Sequence, residues 1–411
     1  MTDTLKPRDA KDVEGAVQWA LAEQKSLEII GHGSKHAIGR PAQTDLTLDL
    51  SSLSGVTLYE PEELVLTARA GTPIADIEAL VASKGQQLAF EPMDYGALLG
   101  GWPGAGTIGG VLAGNLSGPR RIKAGAARDH FLGLTAVSGR GETFKSGGRV
   151  VKNVTGYDLC KLAAGSWGTL AALTEVTIKT LPRPEAEATV AVAGLDDAAA
   201  VKAMTAAMGS SCDVSGAAHL PAAVAGTIPL AGAAGAGRAL TLLRLEGVAP
   251  SVTHRQAALI EIVKPFGEAG IIAEPSSQAV WHAVRDVLPF AASRTGAEQP
   301  LWRVSTAPTR GAELARMIAG GTDATWLYDW AGGLLWVSIA SIGDDAGAAV
   351  VRRAVAACGG HATLVRAPAA LRAAVEPFEP MDAGLAALTK RVKEGFDPKG
   401  VFNTGRMWAG V

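Results

Sequence analysis

The order of apolar and polar positions predicts a helix and then a run of short strands at the start of the chain. Val13, Ala16, Val17, Ala20 and Leu21 recur at i, i+3, i+4, i+7 and i+8, which puts them on one face of a helix over residues 9–25. Leu27 to Ile30 is a short apolar strand, and Asp45 to Leu50 alternates through Leu46, Leu48 and Leu50 as a half-buried strand does. Val56–Tyr59 and Leu64–Ala70 read as two more strands, joined by a turn at Glu60-Pro61. Thr72-Pro73 is expected to cap and start a helix over Ile74–Lys84 that Gly85 ends. Further on, Leu132–Val137 and Glu142–Lys145 form a hairpin pattern, Tyr157–Ala163 a short helix and Leu170–Leu181 a strand. The proline pair in Pro182-Arg183-Pro184 marks a boundary. Beyond it, Leu240–Glu246 and Gly333–Ile339 read as strands, and Gln256–Val263, Ala346–Ala357 and the run through Leu385, Leu388 and Val392 as helices. Helices and strands mix without strict alternation, which predicts an α+β fold.

The chain has 411 residues, 48% apolar and 19% charged, enough to bury a sizeable core in two or three domains. Lys+Arg 38 against Asp+Glu 40 gives a net charge of −2, which argues against a nucleic-acid binder. Cys160, Cys212 and Cys358 stand far apart, in no CxxC pair, so neither a disulfide framework nor an iron–sulfur site is expected. Cysteines used that way suit a reducing, cytoplasmic setting. Residues 1–11 are polar, and 214–237, though uncharged, is mostly Ala and Gly with Pro221 and Pro229. That stretch reads as a loop with short elements rather than a membrane span.

Glycine changes the picture. There are 50, about 12% against a usual ~7%, and nine lie between Gly96 and Gly118. Backbone turns sharply or approaches a ligand closely where glycine is used so densely. The loop Gly31-His32-Gly33-Ser34-Lys35-His36 follows a strand, but its spacing to Gly39 is G-x-G-x5-G and a strand follows it, so a dinucleotide-binding βαβ unit is excluded. Such a loop can still present a nest of N–H groups to a pyrophosphate. Gly106-Thr107-Ile108-Gly109-Gly110, with Asn115, Ser117 and Gly118 beyond it, adds small residues, a hydroxyl and an amide able to bond a flat ligand's edges. Two such loops fit one long ligand with a diphosphate waist. Arg120, Arg121, Lys123 and Arg128 form a small basic cluster nearby. His32 and His36 have the only close histidine spacing and no third ligand beside them, so no metal is expected there.

Taken in order, several stretches resemble the flavoproteins of the vanillyl-alcohol-oxidase, or PCMH, type. They are Ile30–Lys35, Gly106–Gly110 with Asn115, Arg128-Asp129-His130, Gly156-Tyr157-Asp158-Leu159, Gly165-Ser166-Trp167-Gly168-Thr169-Leu170 and Leu173-Thr174-Glu175-Val176. The tail from Phe396-Asp397-Pro398 to Asn403-Thr404-Gly405 resembles the D-lactate and glycolate dehydrogenase branch. Ser117-Gly118-Pro119-Arg120 and the run 151–158 look characteristic of one flavin subunit within it. The resemblance implies a PCMH-type FAD domain over residues 1–184, a cap domain with an antiparallel sheet over 185–380, and a tail, 381–411, that returns to the FAD domain. It implies non-covalent FAD, with Gly31, His32, Gly33, Ser34 and Lys35 at the pyrophosphate. Gly106, Thr107, Ile108, Gly109, Gly110, Asn115 and Gly118 would line the flavin, Gly168, Thr169 and Val176 would meet it through backbone, and Asn403 would approach the ring. It implies partners too: a catalytic flavoprotein subunit of the GlcD kind and an iron–sulfur subunit of the GlcF kind, together oxidising a small 2-hydroxy acid. A stand-alone oxidase and a scaffold subunit with structural FAD are the alternatives.

Two departures stand out near the flavin: Trp167 replaces the usual Glu of Gly-Ser-Glu-Gly-Thr, and Thr169-Leu170-Ala171-Ala172 lacks a glycine after Leu. A third concerns metal. Catalytic relatives in the branch carry a Gly-His-x-Gly-Asp-Gly-Asn-x-His segment whose histidines bind a divalent ion. The matching stretch here runs from Tyr328 to Trp336, with Asp329 and Trp336 at the histidine places and Leu334 at the asparagine place. Trp and Leu cannot ligate a metal, so no metal is expected and no catalytic residue is assigned.

Overall fold

A computed structural model describes residues 3–150, 156–229, 237–341 and 343–411. The characteristic run 151–155 and the middle of the alanine-rich stretch, 230–236, lie outside the described residues. The fold is α+β, as expected. The first helix runs Ala10–Ala22, its N-terminal amide at Asp12 bonded by the Asp9 carboxylate at 2.8 Å. It buries Val13, Val17 and Ala20 against Leu27, Leu46 and Leu48. A strand missed in the sequence, Asp3–Leu5, is too short and polar to show alternation. It pairs parallel with Leu46–Asp49, which pairs parallel with Leu27–Ile30.

A five-stranded antiparallel sheet follows, in the order Val56–Glu60, Val65–Arg69, Ala171–Lys179, Phe131–Ser138, Thr143–Gly147. The helix after it spans Ile74–Ala82, but Thr72 does not cap it. The Thr72 hydroxyl donates instead to the Arg69 carbonyl at 2.6 Å, tying the strand end to the loop, and Pro73 fills the cap position without a side-chain bond. Inside the glycine-dense segment lies a helix no periodicity announced, Ile108–Ala113, capped by the Thr107 hydroxyl.

Residues after Pro184 build one eight-stranded antiparallel sheet. Its order is Ala269–Ala273, Ala186–Ala193, Leu240–Gly247, Gly216–Leu220, Ala324–Asp329, Leu334–Ile339, Leu301–Ser305, His361–Arg366. The period of two sorts its side chains by face. Leu243, Leu245, Trp302, Val304, Leu335 and Val337 pack beneath the helices, while Leu240, Leu242, Leu327 and Trp336 face the earlier half of the chain with Phe90, Tyr95 and Leu98. Most of what the sequence did not show lies here. Ala186–Ala193 and the helix Asp197–Met208 are alanine-rich and carry weak patterns, yet both are buried.

The two halves meet across a closed ionic network. Arg244, on the inward face of its strand, donates to both Glu91 oxygens at 2.8 and 2.9 Å, and Arg120 donates through Nε to Glu246 at 2.9 Å. The Arg120 amide adds a 2.6 Å bond to Glu91. Burial pushes Glu246 up, but Arg244 and Arg120 outweigh it and hold the carboxyl at about 2. Removing one member leaves a buried charge unmatched, so Arg244→Ala should cost about 3–5 kcal/mol in chemical denaturation at neutral pH. The depressed carboxyl contributes stability that is present above its ordinary 4.5 and lost as pH falls toward about 2. Acid unfolding of the parent chain should therefore steepen in that window, and in Arg244→Ala this component should shrink.

Candidate active site

The tail builds the floor of a cleft by returning to the start of the chain. Phe402 bridges Leu27 in parallel, and the Leu27 amide donates to the Val401 carbonyl at 2.7 Å. The buried Lys393 ammonium donates to Asp397, Thr169 O and Phe402 O, each within 2.8 Å, and Asp397 accepts the Val401 and Phe402 amides. Asn403 is fully buried. Its Oδ1 accepts the Ile29 amide and its Nδ2 donates to the Trp167 carbonyl, both at 2.9 Å. One carboxamide thus fixes the strand before the Gly31 loop and the turn that carries Trp167.

Between these elements lies a cleft walled by Gly31–His36, Thr107, Gly109, Gly110, Trp167, Gly168 and Arg406. The backbone N–H groups of Gly31, His32, Gly33, Ser34 and Lys35 donate to no group among the described residues. Unbonded N–H groups in sequence are what an anion would satisfy. Two cations stand beside them. Among the described residues Lys35 has only the Ser34 hydroxyl as a hydrogen-bond partner and no carboxylate within 4.0 Å, and burial pushes its ammonium down to about 8 against a partial offset from the charge of Asp94. Arg406 donates to the Lys35 carbonyl at 2.8 Å, its Nε has no partner, and burial lowers it to about 10. Glu28, the carboxylate whose charge partly offsets this, is already bonded to His36 Nδ1 at 2.7 Å.

Glycine is required where backbones close the wall. A Cβ on Gly31 would come within 2.5 Å of the Thr107 hydroxyl, and one on Gly109 within 2.8 Å of the Ala70 carbonyl. Gly33, at φ +73°, has no protein atom near that position. Gly33 therefore borders open space, whereas Gly109 is needed by the fold.

The expected site residues divide accordingly. Gly31, His32, Gly33, Ser34, Lys35, Thr107, Gly109, Gly110 and Gly168 come together on the cleft wall. Asn115 lines a second cavity that shares Trp167 with the first. Gly106, Ile108, Gly118, Thr169, Val176 and Asn403 lie behind the walls. The side chains expected to bond a ligand's edge have protein partners: Thr107 accepts the Gly110 amide, and Asn115 accepts the Arg128 amide at 3.0 Å. Arg406 was missed, though it directly follows the quoted tail motif.

The segment considered for metal is closed. Asp329 is buried and accepts the Trp330 amide at 2.7 Å, and burial pushes its carboxyl up to about 7. The Trp336 ring meets Tyr95 edge-on at 6.2 Å. No cluster of three His, Cys, Asp or Glu side chains suited to a metal occurs among the described residues, and the three cysteines are buried and unpaired. Among the described residues no helix is long and apolar enough to cross a membrane.

Comparison with known proteins agrees with this architecture. Residues 4–147 match the family model described as FAD binding domain. The crystal structure of p-cresol methylhydroxylase with substrate bound superposes with a TM-score of 0.70 over 99% of this chain and 88% of that one, at 14% identity, which shows a shared PCMH-type fold. The chain is 34% identical to glycolate oxidase subunit GlcE of Escherichia coli over 96% of its own length and 95% of that protein's. It is 25% identical to glycolate oxidase subunit GlcD of Bacillus subtilis over 98% of its length and 88% of that protein's. The chain belongs to the PCMH-type FAD-linked oxidoreductases, in the family of the glycolate oxidase subunit GlcE.

Lys35 supplies a test that needs no substrate. A buried cation without a carboxylate partner costs stability, so Lys35→Met should raise the melting temperature of the ligand-free chain. Its folded pKa lies below the ordinary 10.5, so the parent chain should also gain stability as pH rises from about 8 toward 10.5, and the variant should lose that gain.

Proposed function

We propose that this chain is the FAD-bearing subunit of a glycolate oxidase or dehydrogenase complex. It would hold FAD non-covalently in the unit formed by residues 1–184 and the tail 381–411, with the cap, 185–380, closing over it. The observation that carries the reading is the run of five unbonded N–H groups at Gly31–Lys35 beside the two unmatched cations Lys35 and Arg406. A diphosphate satisfies both deficits at once, and the adjoining wall of Gly109, Gly110 and Gly168 leaves room for a flat ring system. The Gly31–Lys35 backbone and the two cations would bind the pyrophosphate. Asn403 positions Trp167 beside the ring rather than touching it, and the glycines behind the wall, Gly106 and Gly118, keep the loops in place. The bound flavin would take up the electron pair released when a 2-hydroxy acid is oxidised.

Saturating FAD should stabilise the chain by roughly 2.7 kcal/mol at a hundred times its Kd, and acid precipitation should leave the yellow colour in the supernatant. Gly33→Val tests the loop best. Its side chain enters the space assigned to the cofactor, so flavin content should fall to nothing while the ligand-free chain folds, with about 1–2 kcal/mol of backbone strain. Gly109→Val should fail earlier, by unfolding. Normal flavin content in Gly33→Val would remove the loop from the site.

The surroundings of Asp329, Trp330 and Trp336 favour a subunit that does not turn over substrate alone, rather than a stand-alone oxidase. No metal-ligand set stands where one would orient a hydroxy acid and polarise its hydroxyl. Partners of the GlcD and GlcF kinds, the second carrying iron–sulfur chemistry, would then perform turnover and remove electrons. Glycolate added anaerobically to the isolated, flavin-loaded chain should bleach the flavin negligibly. Fast bleaching that a chelator does not affect would establish independent turnover and overturn this division of labour.

A further inference from the structure

The second cavity is electrostatically unbalanced. Arg303 projects into it from the inward face of Leu301–Ser305, and Arg121 enters from the short helix Arg121–Ala124. Both guanidinium groups lie against the ring of Trp330, their carbons 5.0 and 4.3 Å from its centre. Neither has a hydrogen bond or a carboxylate within 4.0 Å among the described residues. Burial lowers the basicity of both; Arg303 and Arg128 lower Arg121 further against partial relief from Asp129, and Tyr95 and Asp329 partly relieve Arg303. Arg128 and His361 add to the same wall. The wall's one carboxylate, Glu379, is taken up by Arg352 and the Ala362 amide. The Tyr95 hydroxyl also lacks a partner and stands near Arg303. Trp330 is itself anchored, its indole N–H donating to Gly118 O at 3.1 Å. The remaining walls mix apolar Phe378, Met381, Met407 and Trp408 with polar Asn115, Ser117, Thr363 and Thr389.

We infer that this cavity is a metal-independent binding site for a small organic carboxylate, clamped by Arg121 and Arg303 with the Tyr95 hydroxyl as a third donor. Guanidinium forks match a carboxylate in plane and charge. The hydrocarbon on part of the wall favours an anion with a carbon skeleton over a fully hydrated inorganic one. The inference rests on the proposed flavin site only for its neighbour: the two cavities share Trp167. Anion binding itself needs no flavin.

Oxalate is a suitable probe because it has no hydroxyl to oxidise. Titration calorimetry of oxalate into the full chain with excess EDTA should show saturable binding, with sulfate at least about tenfold weaker. Arg303→Met and Arg121→Met should each weaken oxalate by about 10–100-fold. Tyr95→Phe, a change that keeps the ring packed on Trp336, should weaken it several-fold and stay folded even if an arginine variant does not. Arg303→Lys, which keeps the charge but loses the fork, should fall between the parent and Arg303→Met. No saturable heat to about 10 mM oxalate, equal affinity for sulfate, loss of binding with EDTA, or unchanged affinity in both Tyr95→Phe and Arg303→Met would each overturn the site. The same titration of flavin-loaded chain separates the two readings. Oxalate binding that perturbs the flavin spectrum supports both. Binding by calorimetry to a chain that holds no flavin supports the carboxylate site and defeats the flavin assignment.

Discussion

The cleft depends on a single buried carboxamide. Asn403 has no solvent to bond, so both its polar atoms must find backbone partners, and they find Ile29 and Trp167, far apart in sequence. This fixes the distance between the strand that launches the Gly31 loop and the turn at Trp167. Asn403 sits at φ +43° and Trp167 at φ +52°, a left-handed conformation that asparagine tolerates and tryptophan rarely adopts. Strain of that kind persists only where surroundings hold it, and the Lys393–Asp397 pair with its amide bonds supplies the hold. The end of the described chain is therefore part of the cleft's architecture, not an appendage to it.

Buried charge separates the structural from the functional parts of the molecule. Glu91, Arg244, Arg120 and Glu246 form a network whose charges answer one another, and it joins the two halves. Lys35 and Arg406 in one cavity, and Arg121 and Arg303 in the next, have no such answer. An unmatched buried cation costs stability with no structural return. Two such pairs, facing connected spaces, mark where the protein is built to meet something negative. The loop Gly118–Arg121 belongs to both regimes: Arg120 closes the network and Arg121 faces the cavity.

The parts of the site that were legible in sequence are those where backbone has no alternative. Gly31, Gly33, Gly109 and Gly110 could be picked out because only glycine allows their turn or their close approach, and these residues do meet on one wall. Gly118, Thr169 and Val176 carry similar motif signals but work behind the wall, packing on Glu91, Lys393 and neighbouring strands. A motif records that a residue is constrained, not which neighbour constrains it. Arg406, Arg303 and Tyr95 were illegible for the opposite reason. Each is an ordinary residue in an ordinary strand or loop, and only tertiary folding shows that it is left unpaired. The half after Pro184 was the least readable region, since alanine fills both its first strand and its first helix and neither period stands out.

The stretch around Asp329 shows how packing can take over from chemistry within one fold. Asp329 spends its carboxylate on the Trp330 amide, and Trp330 and Ala331 turn the chain at positive φ. That turn swings the Trp330 indole toward Gly118, where its N–H is satisfied and its ring becomes the platform under Arg121 and Arg303. On the strand that follows, Trp336 fills the space beside Tyr95 with its ring. Leu334 is buried as well. A metal would need several oxygen or nitrogen ligands converging here, and the side chains present offer a single carboxylate already engaged. What they do offer is a rigid aromatic surface that holds two guanidinium groups in place without neutralising them. Such a surface can grip and orient an anion.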